Sequence, residues 1–374
     1  MKIALVHDYL AQDGGAERVL KAFHEIWPEA PIFVLFHKKG SVEGFDNAEI
    51  HQSFIGRFPG IGRIYRWLLP LMPRATERHN LDEFDVVLSS TSAFAKGVLT
   101  RPNTLHISYC HTPTRYLWTD THEYIDSLKY NVVLRVVLRQ LIHHLRLWDK
   151  MSVDRVDHFI ANSNTVHQRI EKYYRRDSDV LYPPVDVEQG LVSDKGEKYY
   201  ISGGRLVSYK RFDLLIHVFN RLGWPLYIFG TGSEEKKLKN MAKENIHFLG
   251  RISDEEKNNL LSKAKGFLHP QLEDFGITPI EAMASGCPVI AYGIGGVTET
   301  VIPDKTGVFF YQQTWEDLLD TMLFFDTQTW DRVAIQAHAQ KFSAEIFKQK
   351  IQRYVHDRYE EMSRGLNQCR LDIR

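Results

Sequence analysis

Short apolar runs alternate with longer amphipathic stretches along almost the whole chain. Runs rich in Val, Ile, Leu and Phe are typical of strands buried on both faces, and apolar residues at helical spacing indicate helices between them. This alternation predicts an α/β fold with parallel sheets. The predicted strands are Lys2–Val6, Ile32–Phe36, Asp85–Ser89, Thr104–Tyr109, His158–Ala161, Val180–Tyr182, Tyr199–Ser202, Leu226–Phe229, His247–Leu249, Gly266–His269, Pro288–Ala291 and Val308–Tyr311.

Helical patterns fill the gaps between these strands. A glycine pair, Gly14-Gly15, opens the first helix directly after the first strand. The predicted helices are Ala16–Trp27, Tyr130–Trp148, Phe212–Leu222, Glu234–Glu244, Asp254–Ala264, Thr278–Ser285, Trp315–Phe325 and Ala344–Met362.

The middle of the chain has the composition of a linker. Tyr182-Pro183-Pro184 is followed by a polar stretch that ends at Lys198, and the strand–helix pattern then restarts. A chain of 374 residues is also long for one core. We therefore predict two doubly wound, Rossmann-like domains, residues 1–184 and 185–343, facing across a cleft at the carboxyl ends of their strands, and a terminal segment, 344–374.

Two glutamates eight positions apart, Glu273 and Glu281, flank a glycine turn and a helix start. Thr278 is a suitable N-cap and Pro279 a suitable first helical residue, so Thr278 and Glu281 could be no more than a capping box. A cap does not explain Glu273. Two carboxylates beside open backbone N–H groups would suit a polyhydroxylated ligand that carries phosphate.

This stretch resembles the retaining glycosyltransferases of family 4, which have the GT-B fold. Their E-x7-E signature is matched by Glu273 and Glu281, and the following Ala-Met-Ala-Ser-Gly-Cys-Pro-Val-Ile-Ala also matches. The resemblance is closest to bacterial GDP-mannose-dependent mannosyltransferases of polysaccharide assembly. It implies metal-independent transfer of a hexose from a nucleotide diphosphate sugar to a lipid-linked or saccharide acceptor. It also implies that the segment 344–374 crosses back to the first domain.

The second half begins with a strand that ends in glycines, followed by Arg205 and Lys210 in a loop before a helix. Two cations at a helix N-terminus can be aimed at one diphosphate. The alternative is a solvated basic helix start, and we expect Arg211 to be a surface residue. The resemblance implies that Arg205 and Lys210 hold the donor diphosphate and stabilise it as it leaves.

The resemblance assigns further residues to donor and acceptor. The turn Gly14-Gly15 would lie near the phosphates, Arg251 and Ile252 by the nucleobase, and Glu281 on the ribose hydroxyls. Glu273 and the backbone of Phe275, Gly276 and Ile277 would orient the sugar, His111 would lie beside the transferred sugar, and Arg115 would contact donor or acceptor. The catalytic set is then His111, Arg205, Lys210 and Glu273.

Charge argues against a nucleic-acid partner, because 47 basic residues balance 47 acidic ones. Residues 51–150 nevertheless hold 13 Lys and Arg against 8 Asp and Glu. The excess lies in two apolar, basic stretches, 54–74 and 130–148, which are either core helices with a solvated basic face or an interfacial surface for anionic lipid. The arginines concerned are Arg57, Arg63, Arg66, Arg135 and Arg139.

Cysteines and metal motifs change the interpretation little. Three distant cysteines indicate neither a disulfide framework nor a metal site, and a reducing compartment fits best. Cys110 and His111 are neighbours at a strand end and should point to opposite sides, which argues against a thiol dyad. We expect no metal, and a cytoplasmic protein bound peripherally to the inner face of the membrane, since no apolar run approaches the length of a span.

Two alternatives stay open from the sequence. One is a nucleotide-sugar epimerase or hydrolase on the same fold, which would leave the amphipathic stretches unexplained. The other is a non-catalytic nucleotide-sugar-binding subunit, which would not need the cations Arg205 and Lys210 for a leaving group.

Overall fold

The chain forms two compact units, Met1–Pro184 with Phe347–Arg374, and Val185–Ile346. They are hereafter unit 1 and unit 2. The computed structural model describes residues 1–121, 125–126, 131–187 and 197–371, without the side chains of Arg63 and of residues 366–371. Each unit contains one parallel sheet, so the predicted α/β class is confirmed.

The sheet of unit 1 has seven parallel strands in the order β3-β2-β1-β4-β5-β6-β7. Every residue of β1, β4 and β5 is buried, which explains why these strands are continuous apolar runs in the sequence. The strands are β1 Ile3–His7, β2 Ile32–Val34, β3 Ile50–Gln52, β4 Val86–Thr91, β5 Leu105–Cys110, β6 His158–Ala161 and β7 Asp179–Val180.

The sheet of unit 2 has six parallel strands in the order β10-β9-β8-β11-β12-β13. The chain order reverses beside β8, so the loops after β8 and β11 leave the same edge of the sheet as neighbours, which is where ligands bind in such folds. The strands are β8 Tyr200–Gly203, β9 Leu226–Phe229, β10 Ile246–Gly250, β11 Gly266–His269, β12 Val289–Tyr292 and β13 Gly307–Phe310.

Helices connect the strands within each unit. Short 3-10 turns also occur, at Phe54–Arg57, Tyr65–Leu71, Ala95–Gly97, Val153–Arg155, Ser208–Lys210 and Gln340–Phe342, with a π turn at Ile170–Tyr174. The α-helices are α1 Gly15–Ile26, α2 Ile61–Ile64, α3 Met72–Glu77, α4 Arg115–Trp118, α5 Val132–Ser152, α6 Asn164–Arg169, α7 Phe212–Leu222, α8 Glu235–Met241, α9 Asp254–Lys263, α10 Ile277–Ala284, α11 Val297–Thr300, α12 Trp315–Asp326, α13 Arg332–Ala339 and α14 Ala344–Leu371.

The last helix contributes to the core of unit 1. Phe347, Ile351 and Val355 of α14 are buried in one cluster with residues of β1, β4 and α1. The ring of Phe347 stacks on that of Phe23 with centroids 6.0 Å apart. Helix α14 is therefore part of the hydrophobic core of unit 1, together with β1 and α1.

The sequence analysis did not predict strand β3 or the short helices α2, α3, α4, α6, α11 and α13, each of four to eight residues. Strand β3 lies at the edge of its sheet and is partly or fully exposed, so its residues Ile50–Gln52 lack an apolar run. Helix α13 is short, and Ile335 and Ala339 are its only buried residues, so it shows little apolar periodicity. The predicted helix Tyr130–Trp148 is observed as α5, Val132–Ser152, and Tyr130 lies outside the described residues.

Buried polar groups fix the segment that follows β4. The Asp8 carboxylate accepts hydrogen bonds of 2.7–2.9 Å from the backbone N–H groups of four consecutive residues, 92–95. Lys96 then forms a fully buried ion pair with Asp149 of α5. Asp149 also accepts hydrogen bonds from Thr114 Oγ1 and Trp118 Nε1, so one carboxylate joins α5 to Lys96 and to both ends of α4.

Candidate functional site

Glycines bring the loops of unit 2 into close backbone contact at the carboxyl edge of its sheet. Gly204, directly after β8, has φ +129, and Gly230, directly after β9, has φ +107. A Cβ at Gly230 would lie 1.9 Å from the Gly204 carbonyl oxygen, so no side chain fits there. A Cβ at Gly204 would lie 3.0 Å from Lys210 Nζ. The ammonium group therefore rests against the bare backbone of Gly204.

Lys210 and Glu273 are brought together, with Nζ and Oε1 3.1 Å apart and both side chains mostly buried. The ammonium has three donors, so it can keep this bond and still donate to an anion. Arg205 is exposed, and within the described part of the chain its guanidinium has no hydrogen-bond or ion-pair partner. Arg211 instead forms an ion pair with Asp213, with Nε and Oδ1 3.1 Å apart. The charge of Arg211 is therefore engaged within the protein, unlike that of Arg205.

Helix α10 begins at Ile277, not at the predicted Thr278. Its N-cap is Gly276 with φ +90, and no described side chain caps the helix, so the prediction of Thr278 as N-cap is wrong and the alternative of a Thr278–Glu281 capping box does not apply. The physical reason is that Phe275 is buried and Gly276 takes the left-handed conformation that starts the helix. The first backbone N–H groups of α10 thus lack a side-chain cap and are available to an anion.

Glu281 lies inside α10, buried, and forms an ion pair with Lys257 of α9 at 3.3 Å. Lys257 also contacts Asp254 at 2.8 Å. The sequence analysis missed Lys257, because its spacing in α9 is that of an ordinary exposed helix residue. The pair holds the Glu281 carboxylate in one orientation.

A second missed residue is His269 at the end of β11. Its Nδ1 lies 3.0 Å from Gln271 Nε2, whereas its Nε2 and Gln271 Oε1 are buried without a partner in the described residues. Burial and the nearby charge of Lys210 lower the pKa of His269 to about 3, so the ring is neutral at physiological pH. A polar residue ending an apolar strand is the signal that could have identified it.

Arg251 and Ile252 follow β10, at the far edge of the sheet of unit 2. Arg251 is exposed and Ile252 is half-buried. Gly250, the last residue of β10, has φ +68, and its carbonyl accepts a 2.6 Å hydrogen bond from Gly230 N–H. The hydrogen bond ties the loops after β9 and β10 together.

Unit 1 carries the remaining predicted residues. Gly14 is the N-cap of α1, so the turn Gly14-Gly15 does open a helix after β1. Glu17 in the first turn of α1 is buried, and its Oε1 lies 3.9 Å from His7 Nε2. A Cβ at Gly14 would lie 3.0 Å from Glu17 Oε2, so Gly14 leaves space for this carboxylate.

His111 belongs to a hydrogen-bonded chain at the carboxyl ends of β1, β4 and β5. Its Nε2 lies 2.8 Å from Ser90 Oγ, which lies 3.1 Å from His7 Nδ1. Burial and the neighbouring His7 lower the pKa of His111 to about 3. Cys110 packs in a separate apolar cluster with Val153, so the alternation of side chains along β5 separates the thiol from His111.

Arg115 is the first residue of α4 and is half-buried. Its backbone carbonyl accepts hydrogen bonds from Thr119 and Asp120. His111 and Arg115 therefore lie on one loop and helix start after β5.

The two basic stretches of unit 1 pack into one apolar cluster with Phe36 and Leu117. The carboxyl-terminal half of α5 is anchored there by Ile142 and Leu145. Its amino-terminal half, together with the segment 54–74, leaves large apolar side chains exposed by 37–77%: Phe58, Ile64, Trp67, Leu71, Val132, Val133, Val136 and Val137. None of the helices in the described ranges has the length and apolar character of a membrane span.

No cluster of His, Cys, Asp and Glu in the described residues has the arrangement of a metal site. Cys110 and Cys287 are buried, and neither is part of a disulfide in the described residues. Burial raises the pKa of Cys287 to about 12, so it is not an activated nucleophile.

Two protein families match consecutive parts of the chain. Residues 13–189 match the family described as Glycosyltransferase Family 4, and residues 186–342 match Glycosyl transferases group 1. The two matches overlap at residues 186–189, within the predicted linker, and together cover most of the chain.

Individual relatives are distant. The chain is 32% identical to the O-antigen chain mannosyltransferase RfbU of Salmonella typhimurium over 46% of this chain and 49% of RfbU. It is 26% identical to the alpha-1,3/1,6-mannosyltransferase ALG2 of Mus musculus over 73% of this chain and 74% of ALG2. Four relatives, RfbU among them, are matched over only 49–63% of their own length.

Solved structures share the fold. HepE of Anabaena, solved in complex with UDP and glucose, superposes with a TM-score of 0.70 over 95% of this chain and 99% of HepE, at 17% identity. The predicted GT-B fold is confirmed.

Proposed function

We propose that this chain, which belongs to the family 4 glycosyltransferases, transfers a hexose with retention from a nucleotide diphosphate sugar to an acceptor. The observation that supports the proposal is that one loop carries Arg205, whose guanidinium has no partner among the described residues, and Lys210, which forms an ion pair with Glu273 beside Gly204. Two such cations on one loop suit a diphosphate with a sugar attached.

Retention requires that the acceptor attack on the face from which the diphosphate leaves. In this mechanism the bond between the anomeric carbon and the diphosphate oxygen breaks while Arg205 and Lys210 neutralise the growing negative charge. The same diphosphate oxygen takes the proton of the acceptor hydroxyl as the new glycosidic bond forms. Catalysis is then mainly electrostatic stabilisation and positioning, and no protein nucleophile or metal takes part.

The other predicted residues hold the donor. Glu273 accepts hydrogen bonds from sugar hydroxyls, and the uncapped N–H groups at the start of α10 bind anionic oxygen. Glu281, oriented by Lys257, accepts from the ribose hydroxyls. Arg251, Ile252 and the loop of Gly14 and Gly15 contact the base and phosphates, while His111 and Arg115 of unit 1 contact the transferred sugar and the acceptor.

Mannose from GDP-mannose is the proposed hexose and donor, supported by the mannosyltransferase names of the relatives RfbU and ALG2. The proposed acceptor is a lipid-linked or saccharide intermediate of cell-surface polysaccharide synthesis. The exposed apolar side chains of α5 and of the segment 54–74 support peripheral binding to an anionic membrane at its cytoplasmic face.

The test is to incubate the pure protein with radiolabelled GDP-mannose, UDP-glucose and UDP-galactose, each with and without a bacterial membrane extract. Hexosyl transfer to extractable lipid or saccharide, dependent on Arg205, supports the proposal. Conversion of the donor without an acceptor would indicate an epimerase or hydrolase. Donor binding without turnover in any mixture would indicate a non-catalytic subunit.

A further inference from the structure

His111 is tied to the first helix of unit 1 by side chains from three separate parts of the chain. Ser90 of β4 lies between His111 and His7 of β1, and Glu17 of α1 lies beside His7. His7, Ser90 and Glu17 are each at least 95% buried. The family signature in unit 2 does not involve these three residues.

The contacts determine which atoms carry hydrogen. His7 Nδ1 lies 3.1 Å from the Ser90 backbone oxygen as well as 3.1 Å from Ser90 Oγ. A carbonyl oxygen only accepts, so His7 Nδ1 must be the donor. Glu17 Oε1, 3.9 Å from His7 Nε2, supplies the counter-charge if His7 is protonated, and Nδ1 carries a hydrogen in that state too.

Ser90 passes this constraint on to His111. The Ser90 hydroxyl accepts from His7, and its own hydrogen then points to His111 Nε2, 2.8 Å away. If it accepted from both rings, the hydroxyl hydrogen would be buried without a partner, which is unfavourable. His111 Nε2 is therefore an acceptor. In a neutral imidazole the other nitrogen, Nδ1, then carries the hydrogen.

His111 Nδ1, the ring nitrogen that does not face Ser90, is therefore a hydrogen-bond donor. Within the described residues His111 Nδ1 makes no hydrogen bond, and it is not among the buried unpartnered atoms, so it is accessible. The ring is fixed on its other sides by Tyr109, whose centroid lies 5.3 Å away, and by the bond from His111 N–H to the Thr91 carbonyl.

We propose that His7 and Ser90, with Glu17 beside His7, are positioning residues that keep His111 in the Nδ1–H tautomer, so that it presents a neutral N–H donor to an oxygen of the transferred sugar. The sugar as recipient rests on the function proposed above. The tautomer itself does not, because it follows from contacts within unit 1.

The experiment measures the tautomer directly. Full-length protein with 15N-labelled histidine is studied by long-range proton–nitrogen correlation at pH 7.5, and loss of a signal in His111→Gln identifies His111. The expected spectrum shows a protonated Nδ1 and an unprotonated Nε2. An unprotonated Nδ1 in the wild-type protein would refute the relay, whatever the protein catalyses.

Ser90→Ala removes the link, and Ser89→Ala is its matched control. Ser89 is the neighbouring buried residue of β4 and makes the same kind of bond, 3.0 Å, to His106 Nε2. Ser90→Ala should change the His111 tautomer signal and lower kcat with GDP-mannose roughly two- to tenfold, the value of one hydrogen bond, with little change in KM. Ser89→Ala should change neither. A Ser90→Ala variant with an altered tautomer and unchanged kcat would overturn the positioning role, and absence of transferase activity in the wild type would leave the spectral result standing.

Discussion

At the scale of single residues, Arg205 and Arg211 form a natural comparison. They lie on one loop, but among the residues that the structure describes only Arg211 has a carboxylate partner, Asp213. We expect Arg205→Ala to lower kcat by roughly two to three orders of magnitude, the effect of removing one group that stabilises a transition-state charge. Lys210→Ala should behave similarly. The measurement is steady-state transfer from GDP-mannose, with the melting temperature as a check on folding.

Arg211→Asn is the control for Arg205. Asparagine tolerates the left-handed conformation, φ +53, that Arg211 adopts. Its kcat should stay within a factor of about three, a change of roughly 0.7 kcal/mol. Equal losses in both variants would mean that the loop fold, and not the guanidinium of Arg205, supports turnover.

Glu281 can be separated from the capping role that its sequence context predicts. Glu281→Gln should weaken GDP binding about ten- to a hundredfold, because a hydrogen bond to a charged group contributes about 1.5–3 kcal/mol. Thr278→Ala, which would delete the capping box, should lower the free energy of unfolding by less than about 0.5 kcal/mol, since no cap is made. Titration calorimetry and chemical denaturation measure the two effects. Normal GDP affinity in Glu281→Gln would remove the carboxylate from the ribose site.

Residues near each other in sequence were predictable, and residues joined only by the fold were not. Arg205, Lys210 and the glycines before them form one local pattern, so their loop could be identified. The partner of Glu281 is Lys257, 24 positions earlier, and Ser90 bridges His7 and His111 across 83 and 21 positions. Such contacts follow from strand order, which local spacing does not reveal.

At the scale of elements, the buried strands could be predicted from the sequence and the exposed edge strand could not. Strands covered on both faces, such as β4 and β12, were predicted to within two residues because their apolar runs are continuous. The edge strand β3 has no such run. For α10, Thr278-Pro279 has the composition of a helix start. The helix instead begins at Ile277, one residue before the predicted Thr278, because the left-handed Gly276 is its N-cap.

Helix α5 is the element on which the membrane proposal depends. Its amino-terminal half exposes four valines by 56–77%, with Arg139 exposed beside them. Replacing Val133, Val136 and Val137 by serine should abolish sedimentation with anionic liposomes, because the apolar area that enters the interface is lost. Activity on a soluble acceptor should persist, since the donor loops of unit 2 are unchanged.

The control for this triple variant is a pair of exposed apolar residues in unit 2. Leu323 and Phe324 are exposed by 47% and 51%, and their replacement by serine should leave liposome binding intact. Binding that survives the valine replacements would return α5 to the role of a core helix with a solvated face. Loss of binding in both variants would indicate non-specific adhesion of apolar surface.

At the scale of the whole molecule, buried histidines make stability sensitive to acid. Burial lowers the pKa of His79 and His106 to about 4, and that of His111 and His269 to about 3. The unfolded chain takes up these protons near pH 6.5 and the folded protein does not. Stability is therefore complete above about pH 6.5 and falls as pH decreases toward 4, by up to about 1.4 kcal/mol per pH unit for each histidine.

Melting temperatures between pH 7.5 and 5 test this expectation. The wild-type temperature should decrease with acidification, and His106→Gln should reduce the slope by removing one of the four groups. Gln140→Ala alters an exposed residue of α5 that does not titrate and should leave the slope unchanged. A wild-type melting temperature independent of pH in this range would contradict the expectation.

The buried ion pair of Lys96 and Asp149 determines which end of α5 opens first. If the end of α5 that carries Asp149 detached, the Lys96 ammonium would be left buried without its counter-charge, at a cost of about 3–5 kcal/mol. The end that carries the exposed valines has no such penalty. The helix should consequently open from one end only. In hydrogen exchange followed by mass spectrometry, backbone amides of residues 136–140 should exchange early and those of 145–152 should be among the last in unit 1. Lys96→Met, which leaves the buried Asp149 carboxylate without its counter-charge, should make the late amides exchange faster, and unchanged exchange in this variant would contradict the anchoring role of the pair.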